Sequence, residues 1–118
     1  MDCIFCDIDK DKIIAEDDFW VAIKDEFPVS NGHALIIPKR HVKDIFGLTH
    51  SEWDALQGMI CVVAGRMKCD GYNIGCNCRE AAGQTVMHFH LHVIPRYEGD
   101  VDNPRGGIRG VIPDKQSY

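Results

Sequence analysis

Met87-His88-Phe89-His90-Leu91-His92-Val93-Ile94-Pro95-Arg96 is the stretch from which the rest of the chain is read. Histidine alternates with an apolar residue three times, and the run continues into Val93 and Ile94. Alternation of period two predicts a strand. Residues two apart on a strand share a face and lie roughly 6.5–7 Å apart. His88, His90 and His92 are therefore expected on one face, with Phe89, Leu91 and Val93 on the packing face. Imidazole titrates near neutrality, and its neutral ring is both a nucleophile and a metal ligand. Three readings compete: a solvated face, a metal site, and covalent catalysis by one ring with its neighbours directing protons. Three histidines in five residues argue against the first, and the other two can coexist.

The surrounding composition narrows the class. At 118 residues the chain is expected to be one domain, 1–118, with residues 97–118 as a C-terminal tail too poor in apolar residues to form a unit of its own. Its 45% hydrophobic and 26% charged residues are ordinary for a globular chain. A net charge of −5 argues against a binder of duplex nucleic acid, which needs a basic footprint. No apolar run approaches the ~18 residues that span a bilayer. No charged-then-apolar leader opens the chain, so the expected location is cytoplasmic. There the six cysteines are expected as reduced thiols. Cys61 falls in a helical pattern and is expected in the core; Cys76-Asn77-Cys78 reads as a polar loop.

Taken in order, Cys3-Ile4-Phe5-Cys6 is half a zinc site by spacing, and a structural site needs four ligands; His41 and His88 are the candidates for the rest. Residues 13–16 and 19–23 read as two strands or one bent ribbon, ending at Asp25 before a Pro-containing turn. His33 to Ile37 is a short apolar strand stopped by Pro38. Lys39, Arg40 and Lys43 form a basic cluster that reads equally as a solvated rim or as phosphate steering. Thr49-His50-Ser51-Glu52 has the form of a capping box. Trp53, Leu56, Ile60, Val63 and Met67 then recur at helical spacing, predicting a helix that ends near Cys69-Asp70-Gly71. Tyr72 to Gly75 begins another strand, followed by a polar loop over residues 76–84. The expected fold is α+β: a mainly antiparallel sheet of about five strands with one long and one short helix.

Four blocks carry a resemblance. His88-Phe89-His90-Leu91-His92-Val93-Ile94 resembles the His-φ-His-φ-His-φ-φ signature of the histidine-triad (HIT) superfamily of nucleotide hydrolases and transferases. Gly32-His33-Ala34-Leu35-Ile36-Ile37-Pro38-Lys39-Arg40-His41 resembles its second block. Gly83-Gln84-Thr85 resembles the Gly-Gln-Ser/Thr before the triad, and Cys3-Ile4-Phe5-Cys6 the Cys-x-x-Cys of many members. The blocks fall in family order from Cys3 to Arg96.

The resemblance implies a function and a set of roles. His90, the middle histidine, would attack the α-phosphate of a nucleotide, with catalytic support from His92, His33 and Gln84. Asp25 would bind the ribose hydroxyls, since a carboxylate offers two acceptor oxygens to a vicinal diol. Asn73, Gln84, Thr85, His90 and His92 would meet the phosphate. Cys3, Cys6, His41 and His88 would hold a structural Zn2+; Mg2+ stays open as a second cofactor. His92 stands where the uridylyltransferase branch has glutamine, which points to the hydrolase branches. Pro95-Arg96 with Gly99-Asp100 resembles dinucleoside-polyphosphate hydrolases such as diadenosine tetraphosphate hydrolases. Purine nucleoside phosphoramidases that release AMP from amines, and a slow-turnover nucleotide sensor, remain the alternatives. The partners implied are a small-molecule nucleotide and a second copy of the chain, with no membrane.

Overall fold

The computed structural model describes residues 3–118; Met1 and Asp2 lie outside the described residues. Five strands form a single sheet: β1 (Ile13–Glu16), β2 (Trp20–Lys24), β3 (Ala34–Pro38), β4 (Gly71–Gly75) and β5 (Leu91–Arg96). Their order is β1-β2-β3-β5-β4, with every neighbouring pair antiparallel. The one long helix, α1 (His50–Gly65), joins β3 to the edge strand β4, and β5 then returns between them. Among the described residues short 3-10 turns, at Lys10–Lys12, Ile45–Gly47, Glu80–Ala82, Gly107–Val111 and Pro113–Lys115, stand in place of a second α-helix.

The sheet separates two apolar layers. Trp20, Ala22, Ala34, Ile36, Leu91 and Val93 point to α1 and meet Leu56, Met59 and Val63. Val21, Ile23, Leu35 and Ile37 point the other way and are covered by Phe5, Ile8 and Ile13. Burial on both faces explains why β2 and β3 read as continuous apolar runs rather than as alternation. The triad stretch behaves differently from its alternating pattern. Strand pairing begins only at Leu91, opposite Ile36. Continued register would set Phe89 against Pro38, which has no N–H to give to a ladder. Instead the Phe89 N–H donates to the Val42 carbonyl at 2.7 Å, and the Pro38 carbonyl accepts a hydrogen bond from the His88 ring.

At the start of α1 both halves of the capping box form. The Glu52 N–H donates to Thr49 Oγ1 at 3.1 Å, and the Thr49 N–H to Glu52 Oε1 at 2.8 Å. The Glu52 carboxylate also accepts two hydrogen bonds from Arg40, and its carbonyl accepts the Trp20 indole N–H at 2.9 Å. Glu52 is therefore buried, and the inward stripe runs Glu52, Leu56, Met59, Val63. Trp53, expected in the stripe, is one residue and about 100° off it, and is 47% exposed. Cys61, expected in the core, also faces outward. The helix stops at Gly65, short of Cys69, where the Tyr72 hydroxyl donates to the Ala64 carbonyl. No helix is long and apolar enough to cross a membrane among the described residues.

Candidate active site

The side of the sheet away from α1 gathers the candidate residues into three adjoining groups. The first is a thiol–imidazole cluster. His88 is fully buried, and burial pushes its pKa down, which keeps it neutral. Its Nε2–H donates to the Pro38 carbonyl at 2.9 Å. Nδ1 therefore carries the lone pair, and it lies 3.4 Å from Cys3 Sγ, 3.5 Å from Cys6 Sγ and 3.1 Å from His41 Nδ1. Cys6 Sγ is 3.1 Å from His41 Nδ1. A tetrahedral zinc site with bonds of about 2.0–2.3 Å has edges of about 3.3–3.8 Å, close to these four separations, and all four ligand atoms lie within 4.8 Å of one another. The second ring nitrogen of a metal-bound histidine characteristically donates to a carbonyl, as His88 does to Pro38.

The second group is His90. Its Nδ1–H donates to the His88 carbonyl at 2.9 Å, so the lone pair sits on Nε2. Among the described residues Nε2 has no hydrogen-bond partner. The Phe5 ring packs edge-on against His90 at 5.1 Å, and the His92 ring lies at 5.4 Å. Phe5 was not singled out in the sequence; an apolar residue between two ligand cysteines was the available signal.

The third group is Asp25, His33 and His92. His33 Nε2 lies 2.9 Å from His92 Nδ1 and 3.3 Å from Asp25 Oδ2. The Val29 N–H donates to His33 Nδ1 at 3.1 Å. Burial pushes the pKa of His33 down against the opposing pull of Asp25. Burial does the same to His92, reinforced by His90 and His33. The turn that positions Asp25 and His33 is closed by the Asp25 N–H on the His33 carbonyl at 3.0 Å, and Ser30 Oγ ties it to the Pro95 carbonyl at 2.6 Å. The other Asp25 oxygen accepts the Phe27 N–H at 2.9 Å.

The remaining candidates are placed unequally. Asn73 pairs with Ile94 on β5, which sets it on the face of His92, one strand over. Arg96 donates to Asn73 Oδ1 at 2.7 Å and is itself held by both Asp100 oxygens at 2.8 Å. Thr85 is exposed and open. Gln84 is buried and turned inward: its amide donates to the Lys43 and Val86 carbonyls at 2.6 and 3.0 Å and accepts the Arg79 N–H at 2.6 Å. In this conformation it holds the loop rather than facing the histidines. Arg79 adopts φ 77°, a left-handed value that a non-glycine residue rarely takes. Of the basic cluster, Arg40 is committed to the buried Glu52, whereas Lys39 makes an exposed pair with Glu16 at the edge of the cleft beside Phe5. Cys76 and Cys78 are free thiols 3.9 Å apart; burial pushes Cys76 up to about 11, which keeps it protonated. Arg105 and Arg109 stack on Tyr118, folding the tail upon itself.

Two open clefts flank these groups. One, of about 700 Å3, is lined by Phe5, Ile8, Ile13 and Val21 on the histidine side. The other, of about 420 Å3, lies on the helix side between Met67 and Tyr97 and includes none of the candidate residues. Chemistry rather than cavity shape therefore locates the site.

Comparison with known proteins agrees with this geometry. The HIT domain model matches residues 8–99. Adenylylsulfatase HINT3 of Arabidopsis thaliana is 35% identical over 107 residues, covering 84% of this chain and 54% of that protein. A hypothetical histidine triad nucleotide-binding protein from Sulfolobus tokodaii superposes with a TM-score of 0.74 at 33% identity, over 83% of this chain and 71% of that one. A Zn-bound histidine triad family protein from Mycobacterium smegmatis gives 0.70 at 38% identity, over 83% and 77%. The chain belongs to the HIT family, whose fold binds nucleotides and serves hydrolases and transferases.

Proposed function

We propose that this chain is a nucleotide hydrolase that cleaves the bond at the α-phosphate of an adenylated substrate, in the first instance a dinucleoside polyphosphate, through a nucleotidyl-His90 intermediate. The observation that carries the reading is the 2.9 Å hydrogen bond from His90 Nδ1 to the His88 carbonyl, which leaves the Nε2 lone pair open beside His92. A neutral nucleophile is not repelled by an anionic phosphate, and the imidazolium it becomes is a good leaving group. In the first step the Nε2 lone pair forms a P–N bond while the P–O bond to the leaving phosphate breaks, its electron pair going to that oxygen. In the second, water adds to phosphorus, the P–N electrons return to Nε2, and the water proton is released to solvent. No proton has to reach a polyphosphate leaving group, so His92 serves as a hydrogen-bond donor to it.

The other roles follow as parts of the same proposal. Asp25 takes the ribose hydroxyls, and the cleft beside Phe5, lined by Ile8, Ile13 and Val21 together with the charged Lys10, Glu16 and Lys39, receives the base. Asn73 and Thr85 meet the phosphates, His33 orients His92, and Gln84 shapes the loop; direct contact with phosphate would require Gln84 to give up its backbone partners. Cys3, Cys6, His41 and His88 hold Zn2+, which, when bound, fixes the amino-terminal segment and the His88 carbonyl behind His90. The name of the Arabidopsis relative reports action on an adenylyl compound, which supports an adenylated substrate here. A phosphoramidase releasing AMP from amines uses the same atoms and is the second reading. We also propose one domain over 1–118. A cytoplasmic setting fits the free thiols, and a homodimer fits the exposed Trp53 and Val62 of α1 beside Tyr72 and Ile74 of the edge strand.

The test is to quench the protein during reaction with an adenosine polyphosphate or an AMP phosphoramidate and map the adduct by mass spectrometry. The expected result is one nucleotide on His90. His90→Ala is expected to lower turnover by at least about 10³-fold with an unchanged fold; near-full turnover in that variant removes His90 as nucleophile.

A further inference from the structure

We infer that the turn between β2 and β3 fixes which nitrogen of His92 carries its proton, and that Asp25 is a positioning residue whose charge lies beside the His33–His92 hydrogen bond, in addition to any contact with ribose. The Val29 backbone N–H can only donate, and it points at His33 Nδ1 at 3.1 Å. A neutral imidazole with its lone pair on Nδ1 must carry its proton on Nε2. His33 Nε2 faces two atoms, His92 Nδ1 at 2.9 Å and Asp25 Oδ2 at 3.3 Å. Its single proton goes to His92 Nδ1, the partner in hydrogen-bond geometry, while the Asp25 carboxylate lies beside it as a negative charge. His92 Nδ1 is then the acceptor, so the His92 proton lies on Nε2, the nitrogen with no partner among the described residues. His90 receives the opposite arrangement from the His88 carbonyl, with the lone pair on Nε2. The two open nitrogens thus present a nucleophile and a donor side by side, each set by a backbone group of opposite polarity.

Asp25 has a part in this that a ribose contact alone does not require. Its Oδ1 is fixed by the Phe27 N–H, which holds Oδ2 3.3 Å from His33 Nε2. Oδ2 also lies 3.9 Å from His92 Nδ1, so the carboxylate faces both rings. As an acceptor it tolerates only a donor at His33 Nε2, and it therefore reinforces the choice made by Val29. The same three atoms lie close enough to chelate a cation. A metal on His33 Nε2 would need the ring proton on Nδ1, pointing head-on at the Val29 N–H, and this polarity argues for a hydrogen-bond chain instead.

The inference rests on the hydrolase reading only where turnover is used as a readout. The first test needs no substrate: long-range 1H–15N spectra of the histidine-labelled, zinc-loaded protein at neutral pH. The expected spectra show the proton on Nε2 of His92 and His33 and on Nδ1 of His90. A His92 proton on Nδ1, or more than one metal per chain, overturns the inference. The second test is Asp25→Asn, which sets an amide N–H2 against His33 Nε2–H. The His92 signal is expected to become a mixture of both tautomers. With a 2′,3′-dideoxy substrate, where no ribose contact exists to lose, kcat is expected to fall roughly 10–100-fold. Loss confined to the ribose substrate, with the His92 tautomer unchanged, reduces Asp25 to a ribose ligand and overturns its positioning role. If the expected spectra appear while the wild type turns over nothing, the hydrolase reading fails and the proton arrangement stands.

Discussion

At the scale of single residues, the histidines differ less in identity than in the backbone group each one meets. His88 meets the Pro38 carbonyl, His90 the His88 carbonyl and His33 the Val29 amide. The sequence made the histidines legible, because three at period two have no ordinary packing role. Their proton positions were not legible, since each depends on a partner that the tertiary structure brings in. Burial has a further consequence. The pKa values of His33 and His92 are pushed below the unfolded value of about 6.5. A group that binds its proton less readily when folded contributes stability above the unfolded pKa. That contribution is lost as pH falls from about 6.5 through the lower folded pKa. The urea midpoint is therefore expected to be lower at about pH 5.5 than at about pH 7.5, and His33→Gln is expected to shrink the difference. Equal slopes in the two proteins would remove His33 as a source of the acid sensitivity.

At the scale of elements, α1 shows what local pattern carries and what it omits. Thr49 and Glu52 announced the helix start, because a capping box is written in residues three apart. The direction of the buried stripe was not announced. It depends on Arg40, from the segment after β3, drawing Glu52 inward and turning Trp53 out. The hydrogen bonds from Arg40 hold the Glu52 carboxyl below its ordinary pKa against the opposing effect of burial. Thr49→Ala removes one hydrogen bond at the cap and is expected to cost about 1 kcal/mol, or about 4 °C in Tm. Glu52→Gln is expected to cost more, about 1–3 kcal/mol, because an amide N–H2 then faces the Arg40 Nε–H and the charge is lost, while the remaining amide oxygen can still accept from Thr49. Thermal melts of the two variants check the order; a milder loss for Glu52→Gln would mean that Arg40 adds nothing to the cap. The triad strand shows the opposite limit. Its alternation was visible, but pairing starts only at Leu91, because Pro38 lies on the neighbouring strand 50 residues from His88.

At the scale of the whole molecule, the strand order could not be read from the chain, because placing β5 between β3 and β4 depends on which edges remain free once α1 has crossed the sheet. The amino-terminal segment is what joins the fold to the site. Among its described residues before β1 it has only the 3-10 turn at Lys10–Lys12 as regular structure, yet it covers one apolar face with Phe5 and Ile8 and brings Phe5 against His90. Two apolar side chains are a small anchor for a segment that must be ordered at about 1–2 kcal/mol per residue. A metal held by Cys3, Cys6, His41 and His88, which are placed to bind one, would supply the missing anchor and tie the segment to the strand end from which the His90 proton is held. The zinc-saturated protein is expected to contain one Zn2+ per chain. A strong chelator, or Cys3→Ser, is expected to remove about 3 kcal/mol, the linkage free energy at about a hundredfold excess over Kd. That corresponds to a fall in Tm of about 10 °C. Turnover measured well below the melting transition is expected to persist within a few-fold, because the hydrogen bond from His90 to the His88 carbonyl uses the backbone and not the metal-binding nitrogen. Turnover lost in proportion to zinc while the melting temperature stays constant would make the metal part of the chemistry and not of the scaffold.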